Sequence, residues 1–327
     1  MSKRRVLVTG GSGFIGSALV KALLVSGASV RVLDDNSRGS PRRLTAIAKE
    51  IEFVAGDVRD PQAVDKAMRG IEEVHHLAFV NGTEFFYNAP DLVLEVGVKG
   101  IVNVLDACRR HNVGSLVLAS SSEVYQTPPQ IPTDERAPLI VPDPQNPRFS
   151  YGAGKIISEI MAINYGRKNF ECVLIFRPHN VYGPDMGREH VIPQFALRLR
   201  SAIEHHPAGT LPFEIQGDGR ETRSFCFVDD LVAGVMLMRE RGVHLSIYHI
   251  GTAEEVTIAD LARRIATHAG REIELIAGPG LPGSTPRRCP DISKLGKLGY
   301  KPRVPLNDGL PPTLDWYWQH GDLAPKT

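Results

Sequence analysis

The first half of the chain alternates short, continuous apolar runs with stretches in which apolar residues recur at helical spacing. Such runs are typical of strands that are buried on both faces of a parallel sheet. They fall at residues 6–8, 30–33, 52–54, 74–77, 116–119 and 173–176. Helical patterns follow the first run up to Gly27 and cover about 90–112 and 151–168. The alternation predicts an α/β fold with a doubly wound parallel sheet.

The rhythm changes from about residue 178, where prolines interrupt shorter elements. Residues 228–250 contain one more helix and strand, which we expect to return to the first domain. We therefore predict a doubly wound domain of residues 1–177 plus about 228–250. A smaller, discontinuous C-terminal lobe would comprise 178–227 plus 251–327, with a ligand cleft between the two.

Composition excludes several classes of protein. The 327 residues are 42% hydrophobic, enough for a sizeable core, and 38 Lys+Arg against 37 Asp+Glu give a net charge of +1. This balance lacks the basic field of nucleic-acid binding, and no apolar run reaches the ~18 residues of a membrane span. Four scattered cysteines indicate buried, reduced thiols, and the first residues lack the apolar core of a secretory signal. We expect a cytoplasmic protein with neither nucleic-acid nor membrane partners.

A glycine-rich turn joins the first strand to the first helix. Gly10 permits the tight turn, Gly13 lets the backbone approach a pyrophosphate, and Gly16 allows close packing of helix on strand. Asp34, at the end of the second strand, suits the ribose hydroxyls of NAD and would repel the 2′-phosphate of NADP. Arg38 nearby keeps NADP as an alternative. Further predicted cofactor contacts, at strand ends and the first helical turn, are Phe14, Ile15, Asn36, Ser37, Asp57, Val58, Leu77, Ala78, Ser120, Tyr151, Lys155 and Pro178.

Tyr151 and Lys155 open a helical stretch with the four-residue offset that puts both side chains on one face. A lysine ammonium and a nicotinamide cation would lower the pKa of the phenol, so Tyr151 could accept a proton from a sugar hydroxyl. The fifth strand ends at a serine cluster, 120–122, whose hydroxyls could reach the same oxygen. A surface Tyr/Lys pair and serines that only shape a turn are the alternatives.

Taken together, these motifs resemble the extended short-chain dehydrogenase/reductase family, and within it the NAD-dependent nucleotide-sugar epimerases, dehydratases and decarboxylases. The matching residues are 10–16, His76-Leu77-Ala78, Ser121, Tyr151 with Lys155, and 177–184. The resemblance implies that the doubly wound domain is a Rossmann domain that holds NAD tightly, and that the smaller C-terminal lobe binds a nucleotide-diphosphate-sugar substrate. It further implies a homodimer formed through helices 90–112 and 151–168. It also implies transient oxidation of the sugar at C4 to a 4-keto intermediate.

The resemblance assigns roles residue by residue. Ser121, Tyr151 and Lys155 correspond to the catalytic triad. Asn180 corresponds to the asparagine that contacts the sugar diphosphate, and Arg223 and Arg288 to arginines that bind phosphates. Ser122 and Val191 complete the substrate contacts predicted with Ser121 and Tyr151. One of the neighbours Arg287 and Arg288 could instead be solvated surface charge.

Glu123 bears on which reaction follows C4 oxidation. The run Ser121-Ser122-Glu123 resembles UDP-glucuronate decarboxylases and GDP-mannose dehydratases, so we predict that Glu123 is a catalytic acid or base. The favoured outcome is decarboxylation or 4,6-dehydration. A 4-epimerase with the same triad is the alternative, followed by a catalytically silent NAD-binding scaffold or sensor. A capping or surface role for Glu123 also stays open.

The chain departs from the family pattern at a few positions. Phe79 stands where a small residue is usual, and Gly97 where an asparagine is typical. Segment 80–87, which we expect to border the sugar, matches neither decarboxylases nor epimerases, and 187–193 is similar to a mannose-type epimerase segment. The histidine pairs 75–76 and 205–206 lack metal-ligand spacing, so we predict no metal site.

Overall fold

Seven parallel strands form the central sheet of the computed structural model, which describes residues 3–280 and 285–321. The strands are β1 (Arg5–Thr9), β2 (Ser29–Asp34), β3 (Ile51–Ala55), β4 (Glu73–His76), β5 (Ser115–Ala119), β6 (Cys172–Pro178) and β11 (Ser246–Ile250). Their order in the sheet is β11-β6-β5-β4-β1-β2-β3. The six predicted strands are confirmed, as is the returning strand, which pairs with β6 from Ser246–Leu174 onward.

Helices cover both faces of this sheet, which is why its strands are apolar on both sides. Helices α1 (Phe14–Val25) and α8 (Val228–Arg241) pack on one face, where Leu19 and Leu231 join one core. Helices α2 (Pro61–Met68), α5 (Gly100–Arg110) and α6 (Ser150–Asn169) pack on the other, around a second core. The doubly wound α/β prediction is confirmed.

The predicted helix over about 90–112 is interrupted. Helix α4 (Pro90–Leu94) continues into a π-helical turn, Glu95–Lys99, and then into α5. The short helix α3 (Thr83–Asn88) precedes α4 and contains most of segment 80–87, which matches neither decarboxylases nor epimerases. Gly97 lies in the π-helical turn and is buried there.

The remaining elements build a second set of small sheets and helices. The strands are β7 (Val181–Tyr182), β8 (Leu211–Gln216), β9 (Thr222–Ser224), β10 (Cys226–Phe227), β12 (Glu255–Thr257), β13 (Ile273–Gly278) and β14 (Arg287–Arg288). The helices are α7 (Val191–His205), α9 (Ile258–His268), α10 (Ser293–Gly296) and α11 (Leu306–His320). Phe195, Phe213, Ile265 and Leu314 belong to a core shared by α7, β8, α9 and α11, whereas Leu295 of α10 joins the core of the central sheet.

The cysteines and the helix lengths bear on two of the expectations from composition. The four cysteines are unpaired thiols; three are buried and Cys172 is half-buried. Within 3–280 and 285–321, no helix is long and apolar enough to cross a membrane.

Candidate active site

The glycine turn after β1 holds a conformation that larger residues would not fit. Gly10 has φ +73°, and a Cβ there would lie 2.7 Å from the backbone nitrogen of Ala78. A Cβ on Gly16 would lie 2.1 Å from the Gly10 carbonyl oxygen. The turn therefore brings α1 close to the strand, with the first turn of the helix facing the cavity. Free N–H groups at a helix N-terminus suit a pyrophosphate.

Asp34 lies beside this turn with only 8% of its surface exposed. Its carboxylate accepts hydrogen bonds from the N–H of Ser12 at 2.8 Å and of Asn36 at 2.9 Å. An anion held at this place favours ribose hydroxyls and opposes a 2′-phosphate. Arg38 is the residue for which NADP stayed an alternative to NAD. Its guanidinium donates to Glu189 at 2.6 Å and stacks on the Phe85 ring.

A cavity of about 620 Å³ runs from the glycine turn along the carboxyl ends of the strands. Besides Gly10, Gly13, Gly16 and Asp34, it is lined by the predicted cofactor contacts Phe14, Ile15, Ser37, Asp57, Val58, Leu77, Ala78, Ser120, Tyr151, Lys155 and Pro178. Asn36 is not among the lining residues; it supports Asp34 through its backbone. The glycine cradle, the buried carboxylate and the elongated cavity fit a dinucleotide such as NAD.

Tyr151 and Lys155 are buried in the cavity wall, 6% and 3% exposed, which excludes the surface-pair alternative. Lys155 Nζ donates to the Ala119 carbonyl at 2.7 Å. Burial lowers the pKa of Lys155 to about 7, against the opposing effect of Glu159. Burial also raises the pKa of Tyr151 well above its usual range, against the effect of a hydrogen bond with Ser121. Tyr151 therefore needs added positive charge before it can act as a base.

The serines that follow β5 have separate partners. The Ser121 hydroxyl accepts from the N–H of Glu123 at 3.1 Å, which caps the 3₁₀ turn Ser122–Val124, and it also contacts Tyr151. Ser120 donates to the buried carboxylate of Glu159. Ser121 thus combines turn chemistry with a place at the tyrosine.

Glu159 and Arg177 support the site from behind the cavity wall; the sequence reasoning did not single out Glu159 and gave Arg177 no role beyond its place in the matching stretch 177–184. Arg177 holds both carboxylate oxygens of Glu159, at 2.8 and 2.5 Å, and each side chain is 2% exposed. Glu159 follows Lys155 by four residues on α6, so helical spacing was the available signal. The pair fixes Ser120 and sets a negative charge behind the Lys155 ammonium.

Glu123 forms an ion pair with Arg288 in the wall of the cavity. Arg288 Nη1 lies 2.6 Å from Glu123 Oε1, and its other terminal nitrogen donates to Thr285 at 3.1 Å. Burial raises the pKa of Glu123, but Arg288, with smaller effects of Arg148 and Arg223, lowers it below the usual range. Glu123 is therefore a carboxylate in the cavity wall and not a surface cap.

The ambiguity between Arg287 and Arg288 is resolved by β14, whose two residues face opposite sides. Arg287 is exposed and pairs with Glu255 at 2.7 Å, whereas Arg288 is buried and lines the cavity. Strand alternation explains the difference.

The other predicted substrate contacts are placed unequally. Ser122 and Asn180 line the cavity, and the Asn180 amide donates to the Ser224 carbonyl at 3.0 Å. Arg223 is not among the lining residues; it faces Glu123, and burial lowers its pKa to about 10. Val191 begins α7 beside the lining residue His190 and packs against the second lobe's core.

Aromatic residues of the unusual segment close one side of the cavity. Phe86 stacks on Tyr151 with ring centroids 5.1 Å apart, and Phe79 meets the same ring edge-on at 5.0 Å. Phe79, Phe85 and Phe86 all line the cavity. Segment 80–87 thus borders the cavity, and its contact with a sugar stays a prediction.

Comparisons with known proteins match this geometry. The model of the NAD-dependent epimerase/dehydratase family matches residues 6–251. The chain is 31% identical to a dTDP-glucose 4,6-dehydratase of Streptomyces niveus, over 96% of this chain and 92% of that enzyme. It is 32% identical to UDP-glucuronic acid decarboxylase 6 of Arabidopsis thaliana, over 95% and 88%. The crystal structure of Thermus thermophilus UDP-glucose 4-epimerase with NAD superposes with a TM-score of 0.83 at 30% identity, covering 96% and 99%.

The fold and site thus define an NAD-dependent enzyme with a Rossmann-type sheet. The chain belongs to the NAD-dependent epimerase/dehydratase family. The predictions of this family, of an NAD-dependent enzyme and of NAD as cofactor are confirmed.

Proposed function

We propose that the protein is a nucleotide-sugar lyase that decarboxylates a nucleotide-linked hexuronate. The observation that carries the proposal is the Glu123–Arg288 pair, which puts a guanidinium and an ionised carboxylate on the cavity wall near Tyr151. Arginine is the side chain best suited to bind a substrate carboxylate, because its planar fork matches both oxygens.

The binding residues follow the length of the cavity. Gly10, Gly13 and the start of α1 would hold the pyrophosphate of NAD, with Asp34 on the adenosine ribose. Lys155 uses one N–H on Ala119, so two remain for the nicotinamide ribose hydroxyls. Bound NAD supplies a hydride acceptor for C4 and later returns that hydride. Asn180, with Ser122 in the same cavity wall, would hold the sugar diphosphate. Arg223, which faces Glu123, would add positive charge near it.

Tyr151 would accept the proton of the C4 hydroxyl, with Ser121 hydrogen-bonded to the same oxygen. The Lys155 ammonium favours the phenolate electrostatically. The resulting ketone at C4 makes the C6 carboxylate a β-keto acid. The C5–C6 bond then breaks, CO₂ leaves, and its electron pair forms an enolate across C4 and C5. A proton from solvent water adds to C5, while Tyr151 and Ser121 stabilise the enolate oxygen. When C4 is reduced again, Tyr151 returns its proton to the C4 oxygen.

Glu123 and Arg288 would act on the carboxylate step. Arg288 orients the C6 carboxylate, while the fixed negative charge of Glu123 repels it. The repulsion disappears when CO₂ leaves, so it lowers the barrier to decarboxylation. Dehydration would instead need a proton donor for the C6 hydroxyl, and Glu123 is held ionised by Arg288. Similarity to UDP-glucuronic acid decarboxylases supports the same choice.

The two-lobe division, the assembly and the location belong to the proposal. The lobe of 178–227 plus 251–327 would bind the nucleotide sugar; residues 281–284 and 322–327 of it lie outside the described residues. A homodimer would pair α6 with the α4–α5 helix, since Ile157 and Ile160 on α6 are 38% and 53% exposed. Replacing Ile160 with Glu should yield monomers in light scattering. The unpaired thiols suit the reducing cytoplasm.

The test is product analysis. The purified protein with NAD is incubated separately with UDP-glucuronate, UDP-glucose, UDP-N-acetylglucosamine, GDP-mannose and dTDP-glucose, and products are identified by mass spectrometry. We expect loss of CO₂ from the glucuronate. Loss of water from a neutral sugar would identify a dehydratase, and an unchanged mass with a new chromatographic peak would identify an epimerase. Either result would overturn decarboxylation.

A further inference from the structure

Phe79 occupies a notch that two glycines create. A Cβ on Gly97, in the π-helical turn, would lie 2.2 Å from the tip of the Phe79 ring. A Cβ on Gly154, one residue before Lys155, would lie 3.0 Å from the same atom. The large residue at 79 and the missing side chain at 97 are therefore one structural feature.

The ring in this notch contacts both members of the Tyr/Lys pair. Lys155 Nζ lies 4.1 Å from the Phe79 ring centroid, and the Tyr151 ring meets Phe79 edge-on at 5.0 Å and 81°. An ammonium on the face of an aromatic ring is stabilised by the ring quadrupole, most strongly where water is excluded. Phe79 thus replaces part of the hydration that the buried ammonium has lost.

The other groups that face this pair make its charge state sensitive to small effects. Glu159 opposes the effect of burial on Lys155 from the same helix. His76 on β4 also faces the ammonium, and burial lowers the pKa of that imidazole to about 3, so it is neutral. Glu123 faces Tyr151 and raises its pKa. With these groups fixed, the Phe79 face is an uncharged contact that favours the ammonium.

We propose that Phe79, seated against Gly97 and Gly154, is a positioning residue that holds the Lys155 side chain as an ammonium beside Tyr151. It makes Tyr151 easier to ionise without touching the proton that is transferred. The proposal rests on the Tyr151 proton step, which decarboxylation, dehydration and epimerisation share. If UDP-glucuronate gives no product in the panel, the proposal for Phe79 is unaffected. If the proposal for Phe79 fails, the proposal of decarboxylation is unaffected.

The experiment measures Tyr151 ionisation in the NAD-loaded enzyme without any sugar. The phenolate absorbance is titrated with pH, and the same titration of Tyr151→Phe is subtracted. Phe79→Leu is the main variant because leucine fills much of the notch but has no ring face. We expect the ionisation of Tyr151 to move up by about one pH unit, a tenfold smaller phenolate fraction at neutral pH.

Two comparisons separate positioning from simple packing. Phe85→Leu makes the same change six residues further along the chain, on a ring that stacks on Arg38, and should leave the Tyr151 titration unchanged when NAD is kept saturating. Gly97→Ala should displace the Phe79 ring and reproduce the shift of Phe79→Leu, and adding Gly97→Ala to Phe79→Leu should produce little further shift. Thermal unfolding confirms that each variant is folded.

The outcomes decide the proposal. A shift in Phe79→Leu and Gly97→Ala, absent in Phe85→Leu and non-additive in the double variant, supports it. A wild-type titration in Phe79→Leu would overturn it, because the ring face would then have no effect on the pair. Equal shifts in Phe79→Leu and Phe85→Leu would also overturn it, since any loss of aromatic packing would then suffice.

Discussion

Replacing Glu123 with Gln tests whether its charge drives the step after C4 oxidation. The substitution keeps the size and one oxygen, so Arg288 retains a partner and the cavity wall its shape. The free enzyme should still bind NAD and nucleotide sugar, because the predicted contacts for both lie on other residues. What is removed is the negative charge beside the substrate carboxylate.

The magnitude follows from electrostatics. Two carboxylates that flank one guanidinium lie roughly 4 Å apart, where like charges repel by about 4 kcal/mol at an effective dielectric constant of about 20. Arg288 lies between them and the cavity is open on one side, so about half of this remains. A loss of ~2 kcal/mol of ground-state repulsion corresponds to a roughly thirtyfold fall in kcat. KM should fall as well, which is the signature of relieved strain.

The assay follows NADH absorbance and CO₂ release with UDP-glucuronate in a single turnover. In Glu123→Gln we expect NADH to appear at the normal rate and then to persist, because oxidation proceeds and decarboxylation is slow. The matched control is Glu255→Gln, which removes the same charge from the analogous pair with Arg287 on the outer side of β14 and should retain wild-type kcat and KM. A wild-type kcat in Glu123→Gln, or a raised KM with unchanged kcat, would refute the reasoning.

Three further predictions concern stability and cofactor binding. Burial raises the pKa of Glu73, but hydrogen bonds from His75 and Arg239 outweigh that effect and lower the pKa from 4.5 to about 2. The ionised carboxylate therefore stabilises the fold by about 3 kcal/mol above pH ~4.5, and this stabilisation is lost as the pH falls toward 2. Urea unfolding at several pH values should show that slope, and Glu73→Gln should flatten it. Gly10→Ala, strained at φ +73° and close to Ala78, should weaken NAD binding at least tenfold by calorimetry, and unchanged affinity would contradict the cradle. Arg38→Met breaks the pairing with Glu189 over the cavity and should speed NAD loss during dialysis roughly tenfold; equal retention would show that this contact does not confine the cofactor.

The sheet could be predicted because each of its strands is a continuous apolar run, and a sheet covered on both faces leaves that pattern in the sequence. The glycine turn and the Tyr151/Lys155 offset are local as well, so their positions in the cavity followed from short-range spacing. The burial of Arg288 and exposure of Arg287 could not be assigned, because a strand of two residues gives no periodicity. The Arg177–Glu159 pair joins a strand to a helix and required the folded structure.

The contact between Phe79 and the two glycines could not be predicted from the sequence either. In the sequence, Phe79 and Gly97 are two separate departures from the family pattern. They lie eighteen positions apart, and no periodicity of a helix or strand connects them. The structure places one ring against both glycines, so two apparent anomalies become a single complementary fit. Substitutions that compensate each other in space carry no signature in the hydrophobic pattern.

Burial acts on both members of the Tyr151/Lys155 pair in the same sense. It raises the pKa of Tyr151 and lowers that of Lys155 to about 7, so it favours the neutral form of each group. A neutral phenol beside a partly neutral amine is a poor base. In the proposed mechanism, ribose hydroxyls at Lys155 and a nicotinamide cation near Tyr151 would shift both groups toward the charged pair that accepts a proton. The base strength of Tyr151 would then be coupled to cofactor binding, and the contacts of Lys155 with Ala119, Glu159 and Phe79 would determine how strong that coupling is.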